Sequence, residues 1–291
     1  MDQRLSPWLI VAGALACVAA YCLWPHDEPA AVPVPEHTAV AAASVLSRLA
    51  AMPVGASIAS AAVTASEPPL VGRNGRIVDL GGLSVAQYVA QREGAARLGN
   101  IKAAYEVYQA ESLCANTDEP LPETTESPDR EQIARAQARQ RALCINISPS
   151  QVQERMRYLK LAADAGNADA QVDYFMEGPG GKPVDLAANA DEPAVKQWKQ
   201  DAMGYLRTAG AQCNAYALSL LSNAYDMGSM VERDPGLVMA YGIAAARARG
   251  GDKTPEQWKR QFGDDLNEAD AAAALKLGTQ LADGACRSAQ K

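Results

Sequence analysis

The chain has 291 residues, 48% hydrophobic and 21% charged, with a formal net charge of −7 and a pI near 5.0. The Lys and Arg residues form no cluster that would neutralise a phosphate backbone, so nucleic-acid binding is excluded as a working class. Both histidines, His26 and His37, lie near the N-terminus. The rest of the chain therefore lacks the commonest general base and metal ligand, which argues against Ser-His-Asp, Cys-His and His-ligated zinc chemistry.

The first element is an apolar run from Trp8 to Trp24, preceded by Arg4 and followed by Asp27 and Glu28. It has the length of a short spanning helix, and the charge bias places the C-terminal remainder of the chain outside the cytoplasm. This reading gives residues 1–25 as a signal-anchor, with the chain in a bacterial inner membrane as a single-pass protein with a periplasmic body. The small-residue sites at Ala14–Ala16 and Val18–Ala20 leave a cleaved signal peptide, and a soluble periplasmic protein, as the alternative. Residues 26–78 are rich in Pro, Ala and Ser and read as a flexible linker. Residues 79–289 are expected to form the folded domain.

Aromatics make up only 5% of the chain, and alanine supplies much of its apolar content. A core of small side chains suits closely approaching helices better than a sheet, so the expected class is all-α. Three stretches repeat one frame: Ala95–Ala104 (AARLGNIKAA), Ala162–Gln171 (AADAGNADAQ) and Ala209–Leu218 (AGAQCNAYAL). In each, two small residues precede a helix end. Gly99 and Gly166 supply left-handed closure, and Asn100, Asn167 and Asn214 are expected to cap the next helix. Val152, Met156, Leu159 and Ala163 predict one apolar helix face, and Ala168, Gln171, Val172 and Phe175 a second. Each copy is thus a helix–turn–helix hairpin. Ala217, Leu221, Tyr225 and Gly228 predict another helix. Asp234 with Pro235, and Thr254 with Pro255, predict two further helix starts. A last helix is expected from Asn267.

Ala217, Leu221, Tyr225, Gly228, Asp234, Tyr241, Ala245 and Ala246, together with Tyr158, Ala162, Ala163, Gly166, Asn167 and Ala170, resemble the Sel-one-like repeat, a relative of the tetratricopeptide repeat. The resemblance spans roughly residues 84–250 and implies a short α-solenoid. Two stretches interrupt the period: Ala115–Gln132, followed by a helix near Arg130–Leu143, and Gly178–Pro193. Both are polar, Pro-containing and loop-like.

Four cysteines lie beyond the apolar run: Cys114, Cys144, Cys213 and Cys286. An even number in an exported chain suggests disulfides. Three connectivities are open, of which Cys114–Cys144 with Cys213–Cys286 is favoured; four buried free thiols are the alternative. Cys213 also replaces the closing glycine of the third copy.

The resemblance implies a protein- or peptide-binding scaffold with an extended concave face, here a membrane-tethered periplasmic adaptor. Arg155, Lys160, Gln197 and Arg207 are the candidate partner-binding residues. No cofactor or metal ligand set is identified. One alternative is an inhibitor- or immunity-type binder of an envelope protein, using the acidic stretch Asp118–Glu131. The other is a carboxylate-dependent hydrolase using residues such as Glu154 and Asp164.

Overall fold

The computed structural model describes residues 69–287, except 73, 116, 118–126 and 252. They belong to one compact unit, Ser66–Lys291. Among them are ten α-helices and one two-stranded antiparallel hairpin. The strands β1 (Leu70–Val71) and β2 (Ile77–Val78) pair Leu70 with Val78 and Val71 with Ile77. The helices are α1 (Val85–Arg97), α2 (Ile101–Ser112), α3 (Ser127–Leu143), α4 (Pro149–Asp164), α5 (Ala168–Glu177), α6 (Pro193–Ala211), α7 (Ala215–Met227), α8 (Pro235–Ala248), α9 (Pro255–Gln261) and α10 (Glu268–Arg287).

Three hairpins close through the same turn. The backbone N–H groups of Asn100, Asn167 and Asn214 reach back to the carbonyls of Ala95, Ala162 and Ala209 at 3.0, 3.1 and 3.2 Å. The preceding residues, Gly99, Gly166 and Cys213, bond to Ala96, Ala163 and Gly210 and lie at φ +88°, +87° and +64°. This is the paired closure of a helix C-terminus that glycine favours. Each asparagine side chain then accepts from the first turn of the next helix: Asn100 from Ala103, Asn167 from Ala170, and Asn214 from Tyr216 and Ala217. One residue thus ends one helix and starts another, which is why the Gly–Asn pair recurs. The end of α8 closes in the same way, through Gly250 and Gly251.

Packing follows chain order. α1 lies on α2, α2 on α4, α4 on α5, α5 on α6, α6 on α7, α7 on α8, and α8 on α10. The result is an all-α solenoid of stacked helix hairpins. α3 stands outside the sequence of contacts, because α2 continues directly onto α4. It is fastened by a Cys114–Cys144 disulfide and by the Gln140 side-chain amide, which donates to the Leu113 carbonyl. The Gly178–Pro193 stretch is likewise passed over, since α5 packs straight onto α6. The irregular sequence period therefore hides a regular stack.

The seams are lined by small residues. Ala96, Ala104, Ala162, Ala163, Ala170, Ala202, Ala209, Ala217 and Ala244 are fully buried. The tightest approach is at Gly278 in α10, where a Cβ would come within 2.7 Å of the Ala240 carbonyl and 2.8 Å of Ile243 Cβ. Backbone cannot yield there as a flexible side chain would. Gly278→Ala is therefore expected to cost about 1–3 kcal/mol, read as a lower urea midpoint with an unchanged slope.

Two expectations change. The linker expected over 26–78 overlaps the folded body, because Leu70–Val78 forms the hairpin and Val78 and Leu80 join the core. The expected single-pass inner-membrane location is corrected: among the described residues no helix is long and apolar enough to cross a membrane. The Trp8–Trp24 run itself lies outside the described residues.

Candidate partner-binding surface

The first helices of successive hairpins are joined by tyrosines. Tyr158 of α4 donates its hydroxyl proton to Glu93 of α1 at 3.1 Å and accepts from Arg97 Nε at 3.4 Å. Glu93 and Arg97 are themselves an ion pair one helical turn apart. One repeat later, the Tyr205 hydroxyl of α6 bonds the Asp164 carboxylate of α4 and accepts from Lys160 Nζ at 3.1 Å. Lys160 and Asp164 are paired at 2.9 Å. At the next junction Arg207 of α6 donates to the Tyr225 hydroxyl at 3.2 Å, and Tyr225 stacks on Tyr241 of α8 with centroids 5.8 Å apart. Tyrosine hydroxyls thus join α4 to α1 and α6 to α4, while the third junction runs through Tyr225 of α7.

These contacts tune the groups involved. Burial, reinforced by Asp164, pushes the Tyr205 hydroxyl up to about 12. Burial alone would lower Lys160, but its bonds to Asp164 and Tyr205 outweigh that and hold it above the ordinary lysine value.

Beside this row lies a groove with a cavity volume of about 790 Å³. Met156, Leu161 and Tyr174 give it apolar walls, and Arg157, Lys160 and Asp164 edge it with charge. Tyr174 is held edge-on to Tyr205 at 5.0 Å, so the seam and the groove share a wall.

The four candidate residues fall into two classes. Lys160, Gln197 and Arg207 are exposed. Lys160 and Arg207 lie on the tyrosine seam, and Gln197 lies two turns before Tyr205 on α6, bonded to Asp201 at 2.9 Å. Arg155 is only 2% exposed. Its guanidinium faces Glu177 of α5 at 2.9 Å and also donates to the Gly181 and Val152 carbonyls. Glu177 in turn accepts from the Tyr108 hydroxyl at 2.9 Å, and Tyr108 accepts from Asn74 of the hairpin loop. A neighbouring set joins Arg76 and the Tyr105 hydroxyl to buried Asp173 at 2.9 and 2.7 Å. Burial raises the pKa of both tyrosines and of Asp173, with Arg76 opposing the rise at Asp173. Arg155 is therefore placed to hold α4, α5 and the following turn together.

The carboxylates considered for hydrolysis are held on one helix. Glu154 pairs with Arg157 at 2.6 Å, and Asp164 with Lys160. The acidic stretch Asp118–Glu131 lies outside the described residues as far as 126. Sequence reasoning passes over Glu111 of α2, which is 2% exposed and has one carboxylate oxygen without a hydrogen-bond partner. Burial, and then the charges of Glu154 and Glu93, push its pKa up to about 8 from 4.5. The folded state thus keeps a proton that the unfolded chain loses, so this group's contribution to stability falls as pH rises from about 4.5 to about 8. Glu111→Gln is expected to stabilise the protein at pH 8 by about 1–2 kcal/mol and to change little at pH 4. Paired denaturation curves at the two pH values measure the difference.

No family model matches the chain, and no curated protein matches it. Among solved structures it is similar to a protective antigen present in uropathogenic Escherichia coli strains, displaying an SLR fold, at 19% identity and a TM-score of 0.37. That match covers 70% of this chain and 42% of the other, so the chain spans less than half the length of that protein.

Proposed function

We propose that this protein is a Sel-one-like helical-repeat adaptor that holds an extended segment of a protein partner along the row formed by α1, α4, α6 and α8. The observation that carries this reading is the groove beside the Lys160–Asp164–Tyr205 seam, which sets apolar walls next to exposed polar groups. An extended chain offers backbone groups and side chains that such a mixed surface can match. In this reading Lys160, Gln197 and Arg207 contact the partner, and Arg155 positions α4 beneath them. The two disulfides support work in an oxidising compartment.

The test is a photo-crosslinking amino acid placed at Gln197 or Arg157, compared with the same residue at Tyr216 on α7. Capture of one polypeptide from the first two positions and not from Tyr216 is the expected result. Equal capture at all three, or none at any, would remove the proposal.

A further inference from the structure

A second cavity lies at the C-terminal end of the stack, between α8, α9 and α10, with a volume of about 610 Å³. That falls within the range of roughly 300–1,000 Å³ common for small-ligand sites. Its apolar wall is made by Ile243, Trp258 and Leu275. Its charged lining residues among those described are Arg247, Lys253 and Lys276, all basic, in a chain of net charge −7. Such local concentration of one sign, against the global sign, is what concentrates an anion at a cleft. Lys253 Nζ stands 4.8 Å from the Trp258 ring centroid, so a cation and the aromatic wall adjoin. Trp258 is 6% exposed, and its buried indole N–H has no acceptor among the described residues. An unmatched buried donor is costly, on the order of 1–3 kcal/mol.

We infer that this cavity binds a small amphipathic carboxylate, with its apolar body against Ile243, Trp258 and Leu275 and its anionic head between Lys253 and Lys276. The two lysines are exposed, so their charge can be removed without disturbing the core. This site is separate from the groove on α4 and does not depend on the adaptor reading.

Isothermal titration of the purified full chain, disulfides intact, with decanoate and with decanol tests it. Decanoate is expected to bind, decanol at least tenfold more weakly, and Lys253→Gln/Lys276→Gln to weaken decanoate at least tenfold. Lys102→Gln/Lys182→Gln, which removes the same charge from residues outside the cavity, is expected to leave decanoate binding unchanged. The inference fails if decanoate gives no saturable heat up to millimolar concentration, or if decanol binds as well. It also fails if the two double variants behave alike.

Discussion

Arg155→Ala is expected to lower the unfolding free energy by about 3–5 kcal/mol, the usual cost of removing one partner from a buried ion pair. Truncation would leave the fully buried Glu177 carboxylate without the guanidinium that balances its charge. It would also strip a donor from the Gly181 carbonyl, which the Arg155 guanidinium meets at 3.0 Å. The charge itself is not the source of stability. Replacing both partners with apolar residues of similar size, Arg155→Met with Glu177→Leu, is expected to recover most of the loss, because no uncompensated charge remains. Urea denaturation of the two single variants and the double variant, analysed as a cycle, measures the coupling. A double variant no more stable than Arg155→Ala would show that the network, not the ion pair, sets the cost.

The second large effect concerns the bond between Cys213, in the turn from α6 to α7, and Cys286, near the end of α10. It joins residues 73 apart in sequence. The loop-closure relation gives about 4 kcal/mol for such a crosslink. Cys213→Ala/Cys286→Ala is expected to lose that amount, lowering the urea midpoint. Cys213 is also the one non-glycine residue at positive φ among those described. Cys213→Gly/Cys286→Ala should therefore be about 1 kcal/mol more stable than the alanine pair, since glycine removes the left-handed penalty. The Cys114–Cys144 bond gives a contrast. It fastens a helix that the stack passes over, so Cys114→Ala/Cys144→Ala should expose α3 to proteolysis while the α4–α10 transition persists. Limited digestion with peptide mapping separates the two cases.

The hairpin turns are legible in the sequence because their chemistry is local. Gly166 and Asn167 act on residues within five positions, so spacing alone reveals them. The order of the stack follows from the same repeats. The β1–β2 hairpin is not legible: its strands are two residues each, inside a Pro- and Ala-rich stretch, and its anchor is Arg76 bonded to Asp173, 97 residues away. Arg155 reads from sequence as an exposed contact because arginine is seldom fully buried. One signal points the other way. Arg155 stands between Val152 and Leu159 on the apolar stripe of α4, and Glu177 continues the stripe of Ala170 and Tyr174 on α5. Opposite charges on the inward faces of consecutive helices are the mark of a buried pair. The disulfide pairing favoured from sequence is the one observed. The tyrosine seam needs coordinates, because Tyr158 meets Glu93 across 65 residues and an inserted helix.

The two complete tyrosine junctions carry their charges in opposite order along the first-helix row, acid then base at Glu93–Arg97, and base then acid at Lys160–Asp164. A phenol can give a proton to one neighbour while receiving from another, so it fits either arrangement equally well. Mutational drift can therefore invert the local field on this side of the rod without loosening its joints. The charge pattern of this face and the pitch of the stack become separately adjustable properties.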